Sequence, residues 1–134
     1  MALTNTPQAQ LLFEKMRHTQ AKQENTSDNL ARSSVAGEKT KEIEPFSKAL
    51  KRNSNTSSIK TTNANHLSGS IKNVGFKIKK SSEQADPSLT GNSISPEEQL
   101  LQLNEAATDF YRLQQVHKSE TERIKTVLNM GGGK

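Results

Sequence analysis

From Glu97 to Met130 the chain contains neither glycine nor proline. Ser95 is placed to cap a helix there, with Pro96 at its first position and Glu98 spaced to complete a capping box. Gly131, Gly132 and Gly133 then stop the run, and Gly131 is expected to close it in the left-handed conformation. The spacing predicts a helix of roughly 34 residues, about 50 Å long. A chain of 134 residues cannot wrap such a helix in a globular core. The helix must lie against another long helix, against other subunits, or against both.

Composition points the same way. Only 30% of residues are hydrophobic and 4% aromatic, which excludes a large core. The apolar residues gather towards the two ends. There is no cysteine, so disulfides, thiol catalysis and cysteine metal sites are excluded. No run of 18 apolar residues exists to form a single membrane-spanning helix, and the N-terminal MALTNTPQAQLLFEKMRHTQ does not read as a cleavable signal peptide.

A second long helix is expected near the N-terminus. Thr6 and Pro7 repeat the cap-then-proline device, and no breaker follows until Gly37. One heptad seam holds Ala9, Leu12, Met16, Thr19, Gln23, Thr26, Leu30 and Ser33, apolar at its ends and polar in its middle. Residues 25–29, Asn-Thr-Ser-Asp-Asn, are weak helix formers, so fraying or bending is expected there. The C-terminal helix carries a matching stripe: Leu100, Leu103, Ala107, Phe110, Gln114, His117, Thr121, Ile124 and Leu128, broadened by Leu101, Ala106, Leu113, Val116 and Val127. Gln114, His117 and Thr121 are its polar centre and read as register contacts.

The fold expected is therefore mainly α. An N-terminal helix within 1–36 and a C-terminal helix within 95–134 pair as an antiparallel coiled-coil-like hairpin. The middle, 37–94, is polar, partly extended or flexible, with at most a short β-hairpin. The three segments carry net charges of +1, +5 and −1 in the order 1–36, 37–94, 95–134. Ile71 to Lys79 alternates apolar residues and is the one plausible strand, with Ile59 marking a partner; Phe46 to Leu50 suits one helical turn or a short extended segment.

No residue pattern supports catalysis. His18, His66 and His117 show no metal-ligand spacing, no Gly-x-Ser-x-Gly elbow occurs, and the terminal Gly-Gly-Gly-Lys follows a helix rather than a strand. Glu97, Glu98, Glu105 and Asp109 are explained by the positive helix start. The expectation is a non-enzyme with no cofactor, no metal, no small-molecule substrate and no nucleic acid, since the basic middle lacks the interleaved aromatics of a nucleic-acid binder.

Asn25 to Ile43, NTSDNLARSSVAGEKTKEI, resembles the N-terminal signature of the bacterial flagellar basal-body rod protein family. In that signature a helix ends in Asn-Ile/Leu-Ala-Asn-x-x-Thr-Pro-Gly-Tyr/Phe. Asn29, Leu30, Ala31 and Gly37 stand at matching positions; Arg32 replaces the second Asn, Val35 and Ala36 replace Thr-Pro, and Glu38 replaces the aromatic. Asn65-His66-Leu67, the run Gly91 to Leu100, and Leu103-Asn104-Glu105-Ala106 with Tyr111 are similar to later segments of the same family. The resemblance implies a structural subunit of the proximal rod, exported by the flagellar type III apparatus. Its partners would be other copies of itself, other rod subunits, the basal-body adaptor protein and the export gate. Leu12, Met16, Leu30, Leu103, Ala107, Phe110, Leu113, Ile124 and Leu128 would then pack helices in the assembly. A cytoplasmic coiled-coil adaptor or export chaperone would share the helices, and a nucleic-acid binder would use residues 39–80.

Overall fold

A computed structural model describes residues 6–56, 74–81 and 94–132. Five elements occur in the order α1 (Pro7–Arg32), β1 (Lys41–Ile43), α2 (Phe46–Thr56), β2 (Ile78–Lys80) and α3 (Pro96–Gly131). The fold is mainly α: the two long helices pack against each other, and β1 and β2 form a two-stranded antiparallel sheet.

Both long helices begin as their caps dictate. Thr6 accepts a hydrogen bond from Ala9 N at 3.2 Å, and Ser95 accepts one from Glu98 N at 3.4 Å. The far ends differ from expectation. Gly131 stays helical, and Gly132 caps α3 in the right-handed region at φ −93°. Among the described residues the left-handed glycine is Gly37, at φ +78°, in the turn that follows α1. Any side chain there would meet strain even though the space around it is open.

Two contacts fix the direction of the helix pair. Phe13 meets His117 edge-to-face with ring centroids 5.0 Å apart, and Asn29 reaches Gln99. The helices are therefore antiparallel, and their register puts the start of α1 near Thr121. All eight seam residues of α1, from Ala9 to Ser33, are buried or half-buried. Its polar centre is tolerated because Thr19 and Thr26 donate to the Lys15 and Lys22 carbonyls of their own helix, at 3.0 and 2.8 Å.

The buried stripe of α3 is not quite the one expected. It runs through Gln99, Leu103, Ala106, Phe110, Leu113, His117, Thr121 and Ile124, whereas Leu100, Ala107 and Gln114 are exposed. A one-residue shift at three positions, Leu100 to Gln99, Ala107 to Ala106 and Gln114 to Leu113, separates the two stripes, and the Asn29–Gln99 bond selects the observed one.

Residues 25–29 do not fray. The helix is continuous through them, and Asn25, Thr26 and Asn29 are among its buried residues. The Asn25 and Asn29 side chains hold tertiary hydrogen bonds that outweigh weak propensity. The middle segment also differs from a simple hairpin, because α2 stands between the strands. Phe46 to Leu50 opens an 11-residue helix, with the Pro45 carbonyl accepting from Lys48 N and Ala49 N. The partner of β2 is Lys41–Ile43, in the register Lys41↔Lys80, Glu42↔Lys79, Ile43↔Ile78. Ile59 and residues 71–73 lie outside the described residues, as do Asn65, His66 and Leu67 and the first three residues of the Gly91–Leu100 run.

The interior is small and polar. Among the described residues the buried apolar ones are Ala49, Val74, Ile94 and Ala106, against six buried polar ones. Hydrogen bonding therefore decides which arrangement is unique. Replacing Asn29 by Ala leaves the Lys41 amide, the Gln99 side chain and an Arg32 donor short of a partner, so the expected cost is about 2 kcal/mol. Urea unfolding checks this against Asn104→Ala on the exposed face of α3, which should fall within about 0.5 kcal/mol of the parent.

Candidate functional site

A helix that faces α3 with one stripe has a second face about a third of a turn away. On α1 that face carries Glu14, His18, Asn25 and Asn29, at spacings of 4, 7 and 4 residues. Every one of these side chains binds the middle segment. The described part of the middle segment is thus docked on α1 through polar groups, beside its buried Ala49 and Val74.

Asn29 is the centre of the dock, 1% exposed. Its amide nitrogen donates to the Lys41 carbonyl at 2.8 Å and to Gln99 Oε1 at 3.0 Å. Its oxygen accepts from the Lys41 N–H at 3.0 Å and from Arg32 Nη2 at 2.8 Å. Asn25 adds a second bond to the Lys41 carbonyl, also 2.8 Å. Arg32 goes on to Asp28, to Glu38 and to the Lys39 carbonyl, tying down the turn between α1 and β1. The matched signature positions thus fall in one place: Asn29 holds β1, and Gly37 makes the reversal that brings it back. Leu30 is half-buried in the seam, and Ala31 is exposed.

One turn pair earlier, His18 Nε2 lies 2.7 Å from the Glu44 carbonyl, which the ring N–H satisfies. The ring packs against Phe46 at 5.7 Å and edge-on to Phe76 at 5.0 Å, and the Arg17 guanidinium sits 5.8 Å from the Phe76 centroid. Glu14 receives the Val74 N–H at 3.2 Å and pairs with Arg17 at 2.7 Å. Glu44, with a side chain 7% exposed, accepts from Arg52 Nη1 at 2.6 and 2.7 Å and from Lys77 N at 2.9 Å. Arg52 also donates to the Gly75 carbonyl. Burial pushes the Glu44 carboxyl up, but the Arg52 hydrogen bond, the Lys77 amide and the two positive charges outweigh it and hold it below its ordinary value.

The expected assembly residues divide by position. Leu12, Met16, Leu30, Leu103, Phe110, Leu113 and Ile124 are half-buried along the helix pair, while Ala107 and Leu128 are exposed. Among the polar three, His117 packs on Phe13, Thr121 donates to the His117 carbonyl at 2.9 Å, and Gln114 is exposed. Within the chain, Phe13–His117 and Asn29–Gln99 are the two contacts that mark the register of the helix pair. Sequence reasoning passed over Glu14, His18, Asn25 and Gln99. Their signal is hydrogen-bonding residues recurring on one face beside an apolar seam.

Large apolar side chains remain open on α3: Leu100, Leu101, Tyr111, Val116, Val127, Leu128 and Met130. Among the described residues no group of three histidines, cysteines or carboxylates is placed to hold a metal ion, and no helix is long and apolar enough to cross a membrane. No protein-family model and no curated protein sequence matches the chain.

The charged clasp should be acid-sensitive. The folded carboxyl of Glu44 lies below 4.5, its ordinary value, so its stabilisation is present above that pH and is lost as pH falls through the folded value. The expected result is loss of hydrogen-exchange protection at the Lys77 amide below pH 4.5, with Glu44→Gln showing weaker protection and little pH dependence at that amide.

Proposed function

We propose that the chain is a structural subunit of the proximal rod of the bacterial flagellar basal body, exported by the flagellar type III apparatus and assembled with other copies and other rod subunits. The observation that carries this reading is α3 itself. The helix is 36 residues long, runs on past the start of α1, and exposes Leu100 and Leu101 near its start, Tyr111 and Val116 along its middle, and Val127, Leu128 and Met130 near its end. Single exposed apolar residues are ordinary, but a series of them along a helix already paired through its Gln99-to-Ile124 stripe suits contacts between subunits. A tubular assembly is built from contacts of this head-to-tail kind, which do not close on themselves.

The resemblance at Asn29, Leu30, Ala31 and Gly37 supports the same reading. Of those positions, Asn29 holds β1 and Gly37 makes the reversal that returns it, which gives a physical reason for a signature there. The basal-body adaptor and the export gate are the further partners this reading requires. A cytoplasmic adaptor or chaperone would share the helix pair but stay soluble.

The test is fractionation of tagged chain from motile cells, paired with a Leu100→Ser, Tyr111→Ser variant. Both side chains are exposed in the single chain, so the variant should change monomer stability by no more than about 0.5 kcal/mol. The tagged parent should co-purify with basal bodies, and the variant should lose both co-purification and motility. A parent chain found only in the soluble cytoplasmic fraction overturns the proposal.

A further inference from the structure

The two-stranded sheet has two outer edges, and the described residues close only one of them. Ser81 N bonds to the Thr40 carbonyl at 2.7 Å and Glu44 N to the Lys77 carbonyl at 2.9 Å, so the backbones of Thr40, Glu42 and Glu44 face those of Ser81, Lys79 and Lys77. Antiparallel pairs alternate between hydrogen-bonded and non-hydrogen-bonded positions. The backbone groups of Lys41 and Ile43 therefore point outward from β1, and those of Ile78 and Lys80 point outward from β2. On the β1 side, the Asn29 and Asn25 amides take the Lys41 N–H and carbonyl in the manner of a third strand. On the β2 side, no described residue hydrogen-bonds the outward groups of Ile78 or Lys80.

The charge on that edge has one sign. Lys77, Lys79 and Lys80 are all exposed, and none forms an ion pair with a carboxylate among the described residues. Lys79 lies opposite Glu42, but Lys80 lies opposite Lys41, a like-charge pair that destabilises the sheet. Lys41 has Asp28 at 3.5 Å to offset it; among the described residues Lys80 has no such partner. Ile78, 53% exposed, stands on the same face as Lys80.

We propose that the outer edge of β2 is a docking site for an extended acidic segment of a partner protein, which adds to the sheet as a third strand. The outward N–H and C=O groups of Ile78 and Lys80 pair with the backbone of the added strand, an apolar side chain covers Ile78, and carboxylates meet Lys79 and Lys80. Main-chain bonds supply affinity and the side chains supply specificity, as in other strand-addition sites. Lysines on an edge strand repel indiscriminate pairing. Here the same lysines reject neutral and basic strands and admit an acidic one. The proposal stands on the strand edge alone and does not depend on the rod reading.

The test is fluorescence anisotropy of the full chain with a labelled peptide, Thr-Asp-Glu-Val-Glu-Asp-Thr, in which the central Val covers Ile78 while acidic residues fall opposite Lys79 and Lys80. Parallel arms use the same peptide with alternate backbone nitrogens methylated, phosphatidylserine vesicles, and a single-stranded DNA oligonucleotide. The peptide should bind, and backbone methylation should weaken it about tenfold or more, since it removes main-chain donors. Lys80→Glu should also weaken binding about tenfold or more, while leaving the melting temperature unchanged or raised, because a carboxylate then faces Lys41. Ile78→Pro removes the outward N–H without touching a ladder bond and should abolish binding. Absent peptide binding, equal binding of the methylated peptide, unchanged affinity of Lys80→Glu, or tighter binding of vesicles or DNA would each overturn the proposal.

Discussion

The fold turns on one amide side chain. Asn29 bonds the backbone of Lys41 through both its nitrogen and its oxygen, and from the same position it reaches Gln99 on α3. Three elements thus meet at one residue that is almost fully buried. A buried amide is costly when a partner is missing and specific when all are present. With so little apolar interior, this cluster supplies the uniqueness that packing gives to larger cores. It sets which face of α3 turns inward and where β1 returns along α1.

From that junction the remaining architecture follows in order. Arg32 and Gly37 shape the reversal that delivers β1. Glu44, at the end of β1, collects Arg52 from α2 and the Lys77 amide ahead of β2, so both elements are gathered by one carboxylate. His18 seats Phe46 and Phe76 between those two clasps. The described part of the middle segment is therefore a small hydrogen-bonded module on one face of α1, while α3 occupies the next. Among the described residues, the outer face of α3 and the outer edge of β2 are left open, and these are the two surfaces on which function is proposed.

The long helices were legible because their signals are local. Thr6-Pro7 and Ser95-Pro96 set the starts through caps that depend on a few adjacent residues, and a seven-residue seam predicted the inward face of α1. The inward face of α3 was harder. Leu100, Ala107 and Gln114 and their neighbours Gln99, Ala106 and Leu113 fit the same spacing, and hydrophobicity favoured the wrong first member. Only a hydrogen bond to a residue 70 positions away distinguishes them. The same reason hid the dock. Asn25 and Asn29 read as weak helix formers until their distant partners are known, and α2 runs to Thr56 through Ser and Asn that locally argue against it. Propensity lost to tertiary contact in each case.

Amide hydrogen exchange at two facing lysines tests the central role of Asn29 most directly. Lys41 and Lys80 are cross-strand partners, and both backbone amides point away from the ladder. The Lys41 amide is held by Asn29, while no described residue holds that of Lys80. The account predicts slow exchange at Lys41 and fast exchange at Lys80, with Lys41 becoming fast in Asn29→Ala. Equal rates at the two amides, or a Lys41 rate unchanged by that substitution, would contradict it.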